Sequence, residues 1–130
     1  MKKKSPRKKL KDKLEKVVKE IVKIRDNRTC QMCGKKDLTG ANCHVSHVIP
    51  RSQSLLLMFD TLNLKQLCFH CHINLWHKNP IDSAKWFLDK FPERWAYLIE
   101  KRKASKPVKD FELEEMLEKR KEELKTLQDD

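Results

Sequence analysis

Asn63-Leu64-Lys65-Gln66-Leu67-Cys68-Phe69-His70-Cys71-His72 is the stretch whose reading decides the fold. Its Cys-x-x-Cys pair has a counterpart upstream, Cys30-Gln31-Met32-Cys33, followed directly by Gly34 as in a zinc knuckle. A zinc ion takes four soft ligands in a tetrahedron, and each tight Cys-x-x-Cys turn supplies two thiolates. The two pairs are separated by 34 residues, more than a simple zinc ribbon needs. That length fits a β-hairpin with a loop, closed at its base by the metal. Cys30, Cys33, Cys68 and Cys71 are therefore expected to hold a structural Zn²⁺. A redox role is disfavoured because no strand–helix–strand pattern surrounds either pair. Cys43, the odd cysteine, reads as a buried strand residue.

Outward from the pairs, Cys43 to Pro50 alternates as a strand should, with β-branched Val45, Val48 and Ile49 and a terminating proline. Side chains on a strand alternate between faces, so His44 and Ser46 share one. Leu62–Leu67 is short and apolar and reads as the second strand. Phe69 to about Lys78 reads as a short helix that stops before Pro80. On an α-helix five residues turn through roughly 500°, so His72 and His77 are not expected to stack on one face.

Two further elements carry chemistry: His47-Val48-Ile49-Pro50 and Asn63-Leu-x-x-Leu67-Cys68-x-x-Cys71-His72. In order and spacing they resemble the HNH nucleases. The resemblance implies an α+β fold, a small zinc-stapled ββα-metal core with flanking amphipathic helices. It also implies a metal-dependent endonuclease in which His47 is the general base and His72 a ligand of the catalytic divalent ion, Mg²⁺ or Mn²⁺. Asn63 then completes the catalytic set by holding the loop and strand that position the base. The chemistry is coherent: a near-neutral histidine can take a proton from water, while a divalent ion neutralises phosphate and leaving oxygen. One departure stands out. Many relatives place Asp or His immediately before the base as a ligand, and here that residue is Ser46. His44, on the same face, is a candidate replacement, and His77 a further candidate ligand. His70 reads as a bystander.

A narrower resemblance is to the phage NinG/Rap recombination proteins, a zinc-containing, HNH-like group linked to cutting branched intermediates such as Holliday junctions. It is carried by Cys30-x-x-Cys33-Gly34, His44-x-x-His47, Phe59-Asp60-x-x-Asn63, Cys68-x-x-Cys71 and a charged helix opening at Phe111, across roughly residues 28–127. His72 departs from it, since that group often has Asn after the last cysteine. The resemblance implies branched DNA as substrate, a phage protein acting in the bacterial cytoplasm, and an attractive homodimer for symmetric cutting.

Charge supports a polyanionic partner. The formal net charge is +11, with +9 on residues 1–28, +6 on residues 29–107 and −4 on residues 108–130. Arg51, Lys65 and Lys78 are expected to contact DNA phosphates, with Lys85 and the lysines of Lys2–Lys23 as further candidates. Trp76, Trp86 and Trp95 could wedge into a junction, but such residues more often fill a core. Three segments are expected: a basic arm and amphipathic helix (1–27, with Met1–Lys9 mobile and the helix from Leu10), a nuclease core (28–80), and a helical extension (81–130). No apolar run reaches the roughly 20 residues that span a bilayer, and the lysine-rich start lacks the features of a signal peptide. The competing readings are a non-catalytic zinc module that binds DNA as a recombination accessory, an interaction protein, and an HNH endonuclease without branch specificity.

Overall fold

The computed structural model describes residues 3–129. Helix α1 spans Pro6–Arg25 and is followed by β1 (His44–His47), the short α2 (Leu55–Met58) and β2 (Leu64–Leu67). A π-helix over His70–His77 leads into α3 (Pro80–Lys90), α4 (Pro92–Lys103) and α5 (Asp110–Asp129). This is the expected α+β class, a two-stranded antiparallel sheet among helices.

α1 begins earlier than its apolar periodicity suggests. Proline is favoured at the first helical position because its missing N–H bond costs nothing there. Pro6 takes that place, and Ser5 Oγ caps the turn by accepting from the Lys8 N–H at 3.1 Å. The mobile arm expected over Met1–Lys9 is thus helical from Pro6 on; Met1 and Lys2 lie outside the described residues. Leu14, Val18 and Val22 of α1 pack with Leu113 and Leu117 of α5 over Met58, Phe59 and Leu64. Arg7 clips the pair together, bonding Asp110 and donating to the Val108 carbonyl at 2.8 Å.

β1 and β2 pair His44 with Leu67 and His47 with Leu64. Both strands are shorter than expected. Beyond His47 the ladder is taken over by Asn63, whose carbonyl accepts from the Val48 N–H at 2.8 Å and whose side chain binds Ile49. Alternation then divides the sheet. Val45 and Leu64 join the α1 cluster, whereas Leu67 packs with Leu75 and Trp76 of the π-helix. His44 and Ser46 accordingly face the π-helix, and His47 faces α1. Pro80, expected only as a stop, opens α3 as its first residue. A third cluster of Ile49, Leu57, Phe87 and Leu98 joins the loop after β1 to α3 and α4, with Trp76, Trp86 and Trp95 packed against it.

Candidate active site

The four cysteines of the two pairs converge. Their sulfur atoms all lie within 4.8 Å of one another, and Cys33 and Cys68 Sγ are 3.8 Å apart. A tetrahedron with Zn–S bonds of about 2.3 Å has S–S edges of about 3.8 Å, so the donor set fits zinc. Backbone N–H groups already face the sulfurs: Cys33 N donates to Cys30 Sγ and Cys71 N to Cys68 Sγ. Gly34, at φ +81°, makes the left-handed turn that closes the first knuckle, as the Cys30 N–H bonds the Lys35 carbonyl at 2.8 Å. Burial pushes the Cys30 thiol up, but the surrounding backbone donors outweigh it and bring its pKa down to about 7. Burial and the neighbouring sulfurs push Cys71 up. Cys43 stands apart and is not the buried strand residue expected. It lies just ahead of β1, half-buried, with its sulfur 3.5 Å from Gln66 Oε1.

His47 is oriented by its loop. Its Nε2 donates to the Met58 carbonyl at 3.2 Å. That bond places the ring proton on Nε2 and leaves the Nδ1 lone pair available. Burial lowers the His47 pKa below its usual value, and the Arg51 and Lys65 charges add to this against the opposing Met58 bond. These influences favour the neutral ring, whose lone pair is on Nδ1.

Asn63 is what holds that loop. Its Oδ1 accepts from the Ile49 N–H at 2.8 Å, and its Nδ2 donates to the carbonyls of Ile49 (3.0 Å) and Leu57 (2.9 Å). It is fully buried. Expected in the catalytic set, it is closed off from the surface and spends its amide on the backbone of the loop. Its own turn is clamped from both sides. Arg25 of α1 donates to the carbonyls of Thr61 and Leu64, each at 2.7 Å, and Arg94 of α4 donates to those of Leu62 and Leu64.

The histidines form a relay. His44 Nε2 donates to the Ala41 carbonyl at 2.8 Å, so its Nδ1 is an acceptor. That Nδ1 lies 2.8 Å from His72 Nδ1, which must therefore donate. His72 Nε2 is left with a lone pair, 2.9 Å from His77 Nε2. Two expectations are corrected here. His72 and His77 do meet, because a π-helix bonds five residues on rather than four and so brings positions five apart onto one face. And His44, although on the face of Ser46 as expected, meets His72 at the nitrogen opposite His77. The three histidines do not converge on one point. His72 Nε2 and His77 Nε2 are the two nitrogens that could share a divalent ion, and His44 bonds His72 on the opposite side of its ring. Burial, then the charges of His77 and His44, bring the His72 pKa down to about 4. His70 is exposed and bonds Asn74.

Lys65 departs most from expectation. Instead of facing DNA it is 0% exposed, paired across the sheet with Ser46. Its Nζ donates to Ser46 Oγ at 3.2 Å and lies 3.2 Å from the Trp76 ring centroid. Its strand face points into the π-helix, and the ring closes over the ammonium, so a phosphate cannot reach it. Ser46, in the position where a ligand is common, is equally buried. Arg51 and Lys78 are exposed, as phosphate contacts would require.

His47, His72 and His77 line one cavity of about 750 Å³, with Arg51 at its edge. The loop after β1, the π-helix, α1 and α4 all contribute walls. Glu15 and Lys19 come from α1, and Trp95, Ile99 and Arg102 from α4. Glu15, Ile99 and Arg102 were not foreseen as site residues. Their signal was faint, since each is one position on an amphipathic helix whose direction only the tertiary packing sets.

Residues 30–78 match the family model described as HNH endonuclease, which points to a nuclease. The matched segment contains both cysteine pairs, His47, Asn63, His72 and His77. No curated protein and no solved structure matches the chain. No helix among the described residues is long and apolar enough to cross a membrane.

Proposed function

We propose that the chain is a metal-dependent endonuclease hydrolysing phosphodiester bonds in DNA. The observation that carries this is the pair of lone pairs fixed by hydrogen bonding, His47 Nδ1 and His72 Nε2, on residues that open into one cavity. His47 takes the proton from the attacking water at Nδ1, and the Met58 carbonyl holds the ring in place as it becomes charged. Mg²⁺ or Mn²⁺ on His72 and His77 would neutralise charge on the phosphate and the leaving oxygen. Arg51 and Lys78 hold the strand through its phosphates, and the zinc knuckles act only as the staple.

The narrower reading is phage recombination on branched, Holliday-junction-like DNA in the host cytoplasm, with a homodimer supplying two cuts. It is supported by the NinG/Rap-like motif spacing and by the basic front of the chain. On this reading residues 28–80 are the nuclease core, and residues 1–27 and 81–130 are extensions around it. A second reading is favoured by one observation: the Lys65 ammonium beside Ser46 repels a cation where relatives place a ligand. That suits a non-catalytic zinc-containing DNA-binding accessory protein.

A nicking assay separates them. Wild type and His47→Ala are compared on plasmid and four-way-junction DNA with Mg²⁺ or Mn²⁺. The nuclease reading expects metal-dependent cutting that falls at least about 100-fold in the variant. Absence of cutting by either protein leaves the accessory reading, whereas equal cutting by both removes His47 as the general base and overturns the mechanism proposed. Equal rates on plasmid and junction DNA remove branch specificity alone.

A further inference from the structure

We propose that the cavity beside His47 takes up one unpaired base of the strand being cut. The substrate is then DNA that is locally unpaired at the scissile phosphate, rather than continuous duplex. This rests on the nuclease reading above and names its substrate class.

Shape and lining lead to this. A continuous duplex offers a protein a rail of phosphates and sugars, with its bases stacked out of reach, and is met by exposed cations. Here the active-site histidines open into a cavity of about 750 Å³, within the roughly 300–1,000 Å³ of small-ligand pockets. Trp76, Trp95, Ile99, Val48 and Pro50 supply aromatic and aliphatic walls. Trp76 and Trp95 are only partly buried, so each still has surface to offer a guest. Lys65 covers one face of Trp76, and the indole surface that Trp76 and Trp95 leave on an apolar floor suits a nucleobase, which packs on aromatic side chains whatever its identity.

Charge selects a nucleotide over a neutral apolar guest. Lys19, Arg51 and Arg102 also line the cavity, and its one carboxylate, Glu15, is paired with Lys19 at 2.9 Å and lies 3.7 Å from Arg51. A base seated against the indoles carries its own phosphate towards these cations and towards His47. A base left in a duplex stack cannot enter without being extruded. An unpaired one enters at lower cost.

The test uses the full zinc-loaded chain and three DNAs of the same sequence: a perfect duplex, that duplex with one extra unpaired thymine, and the single strand. The expected result is cutting beside the unpaired thymine about tenfold faster than in the perfect duplex, as stacking of one base predicts. In parallel, 5-iodouracil replaces the thymine and is irradiated on His47→Ala protein, which holds DNA without cutting it. The expected cross-link maps to Trp76 or Trp95. Ile99→Trp, which fills the cavity from its wall, should bring the bulged and perfect duplexes to the same rate. Equal wild-type rates on all three DNAs, with bound DNA cross-linking elsewhere or not at all, overturn the base pocket and leave the nuclease intact. A cross-link to Trp76 or Trp95 without cutting of any DNA keeps the pocket and overturns the nuclease. No cutting and no cross-link overturn both.

Discussion

Asn63 and Ile49 exchange two hydrogen bonds: Ile49 N–H to Asn63 Oδ1 at 2.8 Å, and Asn63 Nδ2 to the Ile49 carbonyl at 3.0 Å. A side chain here does the work of a strand neighbour, holding the chain just past the point where β1 stops pairing. The same amide also holds Leu57, one residue before the Met58 carbonyl that fixes His47. His47 is thereby tied to β2 through a buried amide it does not touch. Asn63→Ala would leave the Ile49 N–H and carbonyl unpartnered in the interior and would strip one of the donors from the Leu57 carbonyl, which keeps the Asp60 N–H at 3.3 Å, for a loss of about 3 kcal/mol. Urea denaturation should show this as a lower midpoint, and nuclease activity should fall even where the chain remains folded.

The pH profile should carry the signature of His47. Burial holds its pKa below the usual 6.5 of a histidine, with the Arg51 charge contributing. Protonation occupies Nδ1, so activity is lost as pH falls through that lowered pKa and is on its plateau at neutral pH. Arg51→Gln removes one of the depressing charges. The acid limb of the rate profile should move up towards 6.5 in that variant, and an unmoved or lowered limb would contradict the assignment. Stability follows the same sign for His72. The metal-free fold keeps this residue neutral down to about 4, whereas the unfolded chain binds the proton near 6.5. Acidification across that window should destabilise metal-free protein, read as a falling thermal midpoint.

The relay predicts that the two metal sites respond separately. His44→Ala removes the acceptor that sets the His72 tautomer, so affinity for Mn²⁺ should fall about 10–100-fold, as for other partners of metal-bound histidines. The cysteine site is built elsewhere and should retain about one zinc per chain. Calorimetric Mn²⁺ titration and zinc analysis of the same sample check both. Joint loss of zinc and Mn²⁺ binding would mean that the sites are not independent.

The cysteine spacing was sufficient to locate the staple, because four soft ligands two by two have few other uses in a reduced chain. The family match over residues 30–78 was legible for a similar reason, since the order of His47, Asn63 and His72 relative to the pairs is itself the pattern. What stayed hidden was geometry that residue type does not encode. The π-helix was invisible because its extra residue per bonded turn leaves no compositional mark, and an α-helical count separated His72 from His77. Lys65 was misassigned because lysine is almost always a surface residue, and only the strand register puts it opposite Ser46. The cavity could not be read at all: α1 and α4 meet the active-site loop only after the chain has folded.

Lys65 also supports a prediction that runs against the usual cost of core substitutions. Its ammonium is buried with a hydroxyl and an indole as neighbours, and no salt bridge to it is found among the described residues. Burial first, and the Arg94 charge second, hold its pKa well below 10.5. A group whose folded pKa is depressed in this way costs stability while the unfolded chain is protonated, and the cost fades as pH rises towards 10.5. Lys65→Met keeps the length and apolar stem while removing the charge, and replacing unpaired buried charge with apolar volume is often stabilising. The variant should therefore be more stable than wild type by about 1–2 kcal/mol at pH 7, and the gap should narrow as pH is raised. Urea midpoints of both proteins at several pH values decide it. A variant less stable than wild type at pH 7 would mean that the Ser46 bond and the Trp76 ring outweigh the cost of burying the charge.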